Sequence, residues 1–259
     1  MATWYNAFAD LKALYQALPP VPCEGCGSYC VTPHLTLVEF VYLLRYLGEN
    51  FSRPEMITLL QAPMVPAARF PGNFLCPLQD QKGLCRVYPA RSLSCRAEGL
   101  PVIDAMSGRM APVCRQGKQK QLDLEVTEMT VGDWLNRVGA ISMAYHAFYE
   151  EPYFLNALNI ECWFAVMLDP KIRQPFFIKL RNLLRTEFNF EFLAPYYLDH
   201  TDLAAQLDLI DKFFHACRQK RPRQAVAAMR RVIAEFPRTG SYYQHEGRES
   251  LKHLFHLEP

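Results

Sequence analysis

The chain has 259 residues, 50% of them hydrophobic, with 28 basic and 26 acidic residues and a formal net charge of +2. That is enough apolar material for a well-buried core in one large or two small domains, and the near balance of charge argues against a nucleic-acid binder. No window offers the roughly 18 uninterrupted apolar residues of a membrane span. The opening stretch lacks a basic region, and Asp10 and Lys12 break its apolar run, so it does not read as a secretory signal. A cytoplasmic protein with no membrane partner is expected.

Residues 3–17 show helical spacing through Trp4, Phe8, Leu11, Leu14 and Tyr15, and Pro19, Pro20 and Pro22 stop that helix. Thr36-Leu37-Val38-Glu39 reads as a capping box opening a helix to Leu47, with Gly48 at the position after its end. Ser52 and Glu55 repeat the signal before a short helix to about Leu60. From Gln61 to Gln121 the periodicity fails among repeated prolines and glycines. So long an irregular stretch in a folded domain implies that something besides helix or sheet organises it. After Gln121 helical spacing returns. Thr130 precedes a helix that begins near Val131, and Pro152, Pro170, Pro175, Pro195 and Pro222 divide the rest into five or six helices ending near Phe236. The expected fold is mainly α: an irregular cysteine-rich metal-binding part over residues 1–121, then a helical, bundle-like part over 122–259.

Seven of the nine cysteines lie in the first part: Cys23, Cys26, Cys30, Cys76, Cys85, Cys95 and Cys114. In a reducing cytosol such clustering points to metal or redox chemistry rather than to a disulfide framework. Cys23-x-x-Cys26 is a chelating pair, because two intervening residues, one of them Gly25, let the chain turn both sulfurs toward one ion. No strand precedes it and no βαβ pattern surrounds it, unlike a thioredoxin-type pair. Cys162 and Cys217 fall inside apolar helical patterns and read as small packed hydrophobes. The seven clustered cysteines are the expected ligands of an iron–sulfur cluster or zinc.

These residues resemble the zinc- or iron-chelating CxxCxxCC (YkgJ-like) cysteine cluster family. The resemblance covers about residues 20–118. It rests on Cys23-Glu-Gly-Cys26-Gly-Ser-Tyr29-Cys30, on Leu35-Thr36 with Glu39, and on Phe74-Leu75-Cys76-Pro77-Leu78. Gly83-Leu84-Cys85-Arg86-Val87-Tyr88-Pro89-Ala90-Arg91, Cys95-Arg96 and Cys114 complete it. Tyr29 stands where the family has its third cysteine, and Ser92 where a proline usually follows the arginine. The resemblance implies a bound zinc ion or iron–sulfur cluster and no single activity. Flagellin lysine-N-methylases look similar in this region, which raises a metal-dependent protein- or peptide-modifying enzyme as one alternative. A structural zinc interaction module is another. The reading preferred is a metal-binding protein whose helical part recognises a protein or small-molecule partner, in a sensing, electron-transfer or accessory role.

Other residues carry weaker signals. His34 follows Cys30 and reads as an exposed residue at a helix entry rather than a ligand. His253 and His256 share a helical face near the end of the chain, and His146 sits among aromatics. Arg86, Arg91 and Arg96 flank the thiols, where cations favour thiolates and donate hydrogen bonds to sulfur; ordinary ion pairs are the alternative. The run from Arg218 to Arg231 reads as a solvated helix face over buried Val226, Met229 and Val232.

Overall fold

A computed structural model of the chain describes residues 4–18, 30, 33–61, 75–96, 101–103, 110–112, 131–144, 158, 160–173, 175–196 and 201–235. These residues are mainly helical. The chain divides into two units, Met1–Arg69 with Phe74–Ile160, and Phe70–Asn73 with Glu161–Pro259.

In the first unit, α1 (Trp4–Ala17) and α2 (Leu37–Asn50) form where the apolar spacing places them. The capping box is present: the Thr36 N–H donates to Glu39 Oε2 at 2.9 Å. Helix α2 continues three residues beyond Leu47 with Gly48 inside it. An Arg45–Glu49 pair at 2.7 Å spans that last turn, and Phe51 N–H donates to the Leu47 carbonyl at 2.9 Å. Together these offset the roughly 1 kcal/mol that a helical glycine costs. Helix α3 (Arg53–Leu60) starts at the expected Ser52–Glu55 capping box.

The described residues of the stretch expected to be irregular form short elements. Residues 78–86 form a tight hairpin, in which Arg86 N–H donates to the Leu78 carbonyl at 2.9 Å and Asp80 N–H to Leu84 at 2.8 Å. Asp80 Oδ1 accepts from the Lys82 and Leu84 N–H groups, and Gly83 supplies the positive φ of 77° that closes the turn. A 3-10 turn, Tyr88–Ala90, leads into the four-residue helix α4 (Leu93–Arg96). The strands β1 (Pro101–Ile103) and β2 (Met110–Pro112) pair antiparallel, with Val102 opposite Ala111.

Helix α5 (Val131–Ala144) belongs to the first unit. The division therefore differs from the one expected at residue 121. Trp134 and Val138 of α5 join Leu11 and Leu14 of α1, Leu18, and Leu93 of α4 in one apolar cluster, with Tyr15, Tyr42 and Ile141 packed against it. Each fully buried large side chain there contributes about 1.5–3 kcal/mol, so the cysteine-bearing helix α4 is seated in a core that helices on both sides of it build. The Ser142 hydroxyl also accepts the Val38 N–H at 3.3 Å, holding α5 to the start of α2.

The second unit takes in α6 (Ile160–Leu168) from Glu161 onward, α7 (Pro175–Glu187), a 3-10 segment Glu191–Tyr196, α8 (Thr201–Arg218) and α9 (Pro222–Glu235). Trp163, Ala165, Val166, Phe177, Leu180 and Leu184 are buried. So is Cys162, in keeping with its reading as a packed hydrophobe. The guanidinium of Arg181, on α7, donates to the carbonyls of Val166, Asp169 and Ile172. It satisfies the Val166 carbonyl in the last turn of α6 and two carbonyls of the turn that follows. Helix α9 keeps Arg223, Arg230 and Arg231 exposed, matching the expected solvated basic face, and buries Ala225, while Val226 and Met229, expected to be buried, are half-buried. No helix among the described residues is long and apolar enough to cross a membrane.

Candidate functional site

Four of the seven expected ligands fall among the described residues: Cys30, Cys76, Cys85 and Cys95, all partly buried. Cys23, Cys26 and Cys114 lie outside them, as do Tyr29, His146, His253 and His256 and the side chain of Cys217.

Backbone hydrogen bonds draw the first three together. Cys76 N–H donates to the Cys30 carbonyl at 2.8 Å. The same carbonyl accepts Gln79 Nε2 at 2.9 Å. Gln79 in turn bridges antiparallel to Cys85. One carbonyl thus ties the Cys30 segment both to Cys76 and to the mouth of the hairpin that carries Cys85.

Cys95 arrives from α4, which a separate set of bonds fastens to the same region. Ser94 Oγ donates to the His34 carbonyl at 3.1 Å, close in sequence to Cys30. At the start of α4, Leu93 N–H donates to Glu39 Oε1 at 2.6 Å. That oxygen also accepts the Tyr15 hydroxyl at 2.8 Å. The other oxygen, Oε2, accepts the Thr36 N–H and hydroxyl. Glu39 is therefore a buried carboxylate with four donors, linking α1, α2 and α4. Burial raises its pKa, and the bonds from Leu93, Thr36 and Tyr15 oppose that rise by favouring the charged form.

The environment of the Cys95 sulfur is mixed. Burial pushes the thiol up to about 11. Ser92 Oγ, 3.4 Å away, donates to the sulfur and works in the opposite direction. The nearby Cys85 and Glu39 raise the value, whereas Arg91 lowers it. Ser92 thus supplies a hydrogen bond to the Cys95 sulfur from its hydroxyl.

The three arginines take three different roles. Arg86 pairs with Glu55 at 3.8 Å and lies over the Phe51 ring, an ordinary surface pairing. Arg91 stacks on Tyr88 at 3.6 Å and bears electrostatically on Cys95. Arg96 holds the preceding loop, donating to the carbonyls of Pro89 at 2.6 Å and Arg91 at 2.9 Å, with its guanidinium 4.1 Å from the Tyr15 ring centroid. His34 differs from the exposed residue expected: it is partly covered, and burial lowers its pKa to about 4.

Among the described residues, no three histidine, cysteine, aspartate or glutamate side chains converge as a metal-ligand group. The described thiols fit a metal in type and in being drawn from separate segments to one region. The sequence marked Glu39 as a helix cap and as part of the family resemblance, and Tyr15 as an apolar helix position, without assigning either a role at the thiols. The signal for both was available: a tyrosine on a buried helical stripe needs a partner for its hydroxyl. No protein-family model, curated protein or solved structure matches the chain.

Proposed function

We propose that this chain is a cytoplasmic metal-binding protein, holding zinc or an iron–sulfur cluster through the clustered cysteines of its first unit, as its resemblance to the YkgJ-like family implies. The observation that carries the reading is the Cys76-to-Cys30 backbone bond together with the Gln79–Cys85 bridge. Residues remote in sequence are tied at the positions of three thiols, while Cys95 lies within electrostatic reach of Cys85. Cys30, Cys76, Cys85 and Cys95 would serve as ligands with Cys23, Cys26 and Cys114. A bound cation would stabilise the thiolate that burial disfavours at Cys95. The helical second unit is proposed to recognise a protein or small-molecule partner; exposed Ile178 and Tyr196 are apolar contact points for it.

The test is anaerobic purification of the full chain, followed by an absorption spectrum and metal analysis. A brown protein with a broad visible band and matching iron and sulfide identifies a cluster. A colourless protein with stoichiometric zinc identifies zinc. Metal at background level in both preparations sinks the reading.

A further inference from the structure

Both ends of the helix that carries Cys95 converge on one side chain outside the cysteine region. The hydroxyl of Tyr15 donates to Glu39 Oε1, the oxygen that also receives the first N–H of α4, from Leu93. The ring of the same tyrosine lies under the guanidinium of Arg96, the last residue of α4. Leu93 itself is fully buried in the cluster against which Tyr15 packs. Cys95 therefore sits on a single helical turn clamped at its start by a hydrogen-bond relay and at its end by a cation–π contact, and Tyr15 serves both.

We infer that Tyr15 and Glu39 are positioning residues for the Cys95 sulfur: the Tyr15–Glu39–Leu93 relay and the Tyr15–Arg96 stack fix the turn on which that thiol is presented. Both hold the backbone of α4, and both also lie within electrostatic reach of the Cys95 sulfur. Several features favour this over simple core packing. A four-residue helix has little stability of its own, because nucleating a turn is costly. Its orientation must come from tertiary contacts, and the contacts at both of its ends are polar and directional. The relay is also specific in its chemistry. Glu39 is an acceptor for three N–H and O–H partners besides the α4 amide, so α4 docks onto an oxygen already held in place. Arg96, by bonding Pro89 and Arg91, carries the constraint back into the loop that brings Arg91 near Cys95.

The inference rests on the metal-site reading for its purpose but not for its geometry, and the test separates the two. The variants are Tyr15→Phe, which keeps the ring, Glu39→Gln, which keeps the shape, their double variant, and Arg96→Lys, which keeps the charge and loses the planar stack. The first readout is the alkylation rate of Cys95 in chelator-treated full chain, measured by mass spectrometry against buried Cys162 in the same molecule. Tyr15→Phe should speed Cys95 about tenfold, the factor that one lost buried hydrogen bond corresponds to, and Glu39→Gln, which also removes a charge that disfavours the thiolate, should speed it at least as much. Cys162 should keep its wild-type rate. The double variant should be no faster than the more reactive single, because both changes break one relay. Arg96→Lys should speed Cys95 as well. The second readout is cobalt(II) titration, following the thiolate-to-metal band. The same variants should weaken binding or shift that band, while a wild-type chain that takes up no cobalt would overturn the metal reading and leave the alkylation result to decide the positioning role. Unchanged Cys95 rates, additive effects, or equal acceleration of Cys95 and Cys162 would each overturn the inference.

Discussion

Glu39 Oε1 accepts the backbone N–H of Leu93 at 2.6 Å, joining residues 54 positions apart. This bond links a helix cap legible in the sequence to the turn that presents Cys95. It also makes the local signal and the tertiary site depend on one carboxylate.

Removing that carboxylate should be costly. Glu39→Ala leaves the Leu93 and Thr36 N–H groups and the Tyr15 hydroxyl without their acceptor in a buried setting. An unsatisfied buried donor costs about 1–3 kcal/mol, so the first unit should lose roughly 3 kcal/mol or more. Urea denaturation, followed by hydrogen exchange of the α2 and α5 amides, checks this; a loss below about 1 kcal/mol would show that the donors find other partners.

Replacement of the clustered thiols should separate them from the helical one. Cys76→Ser, Cys85→Ser and Cys95→Ser are each expected to lower bound metal about tenfold or more, since structural metal binding is worth on the order of 10 kcal/mol and a lost ligand removes part of it. Cys23→Ser and Cys26→Ser should act in the same direction. Cys162→Ser should leave metal per folded chain unchanged, while burying a hydroxyl where Cys162 packs at a cost of about 1–3 kcal/mol. Metal analysis and thermal melts of the same preparations provide both readings.

The first unit should lose stability in mild acid through His34. Its pKa falls from the ordinary 6.5 to about 4 because burial disfavours the imidazolium. Between those values the unfolded chain binds the proton and the folded one does not, so stability rises with pH through this window and is lost as pH falls from about 6.5 toward 4. His34→Gln removes the titrating group. Melting temperatures of the variant should therefore fall less than those of the wild type between neutral pH and pH 4. Parallel curves for the two proteins would contradict this assignment.

Helix α8 ends with Lys220 in the left-handed region, φ 52°, and Arg221 N–H reaches back to the Ala216 carbonyl at 2.9 Å. This is a Schellman closure with lysine at the position that glycine usually occupies. Lys220→Gly should relieve about 1 kcal/mol of side-chain strain, partly offset by the greater freedom of glycine in the unfolded chain. A net gain of a few tenths to 1 kcal/mol in the second unit is expected, and a denaturant midpoint measures it. A loss of stability would mean that the Lys220 side chain makes a contact worth more than the strain.

The sequence by itself determined the local elements. Proline stops, the Thr36–Glu39 and Ser52–Glu55 capping boxes and apolar spacing define α1, α2, α3 and α5, because caps and amphipathic periodicity act within a few residues. It also supplied the candidate thiols, since Cys30, Cys76, Cys85 and Cys95 stand out by type and clustering alone. Tertiary structure decided which distant residues meet. The apolar stripe of α5 had no sequence mark assigning it to the cysteine-bearing unit rather than to the helices that follow; its packing with Leu11, Leu14 and Leu93 settled that. Likewise His34 carries no local signal of burial, and its lowered pKa arises from desolvation within the fold. The apolar stripe of α1 implied a partner for the Tyr15 hydroxyl, but that the partner is Glu39, 24 residues away, came only from the fold. A capping carboxylate spends one oxygen on its own helix, and only the folded chain shows what the other oxygen holds.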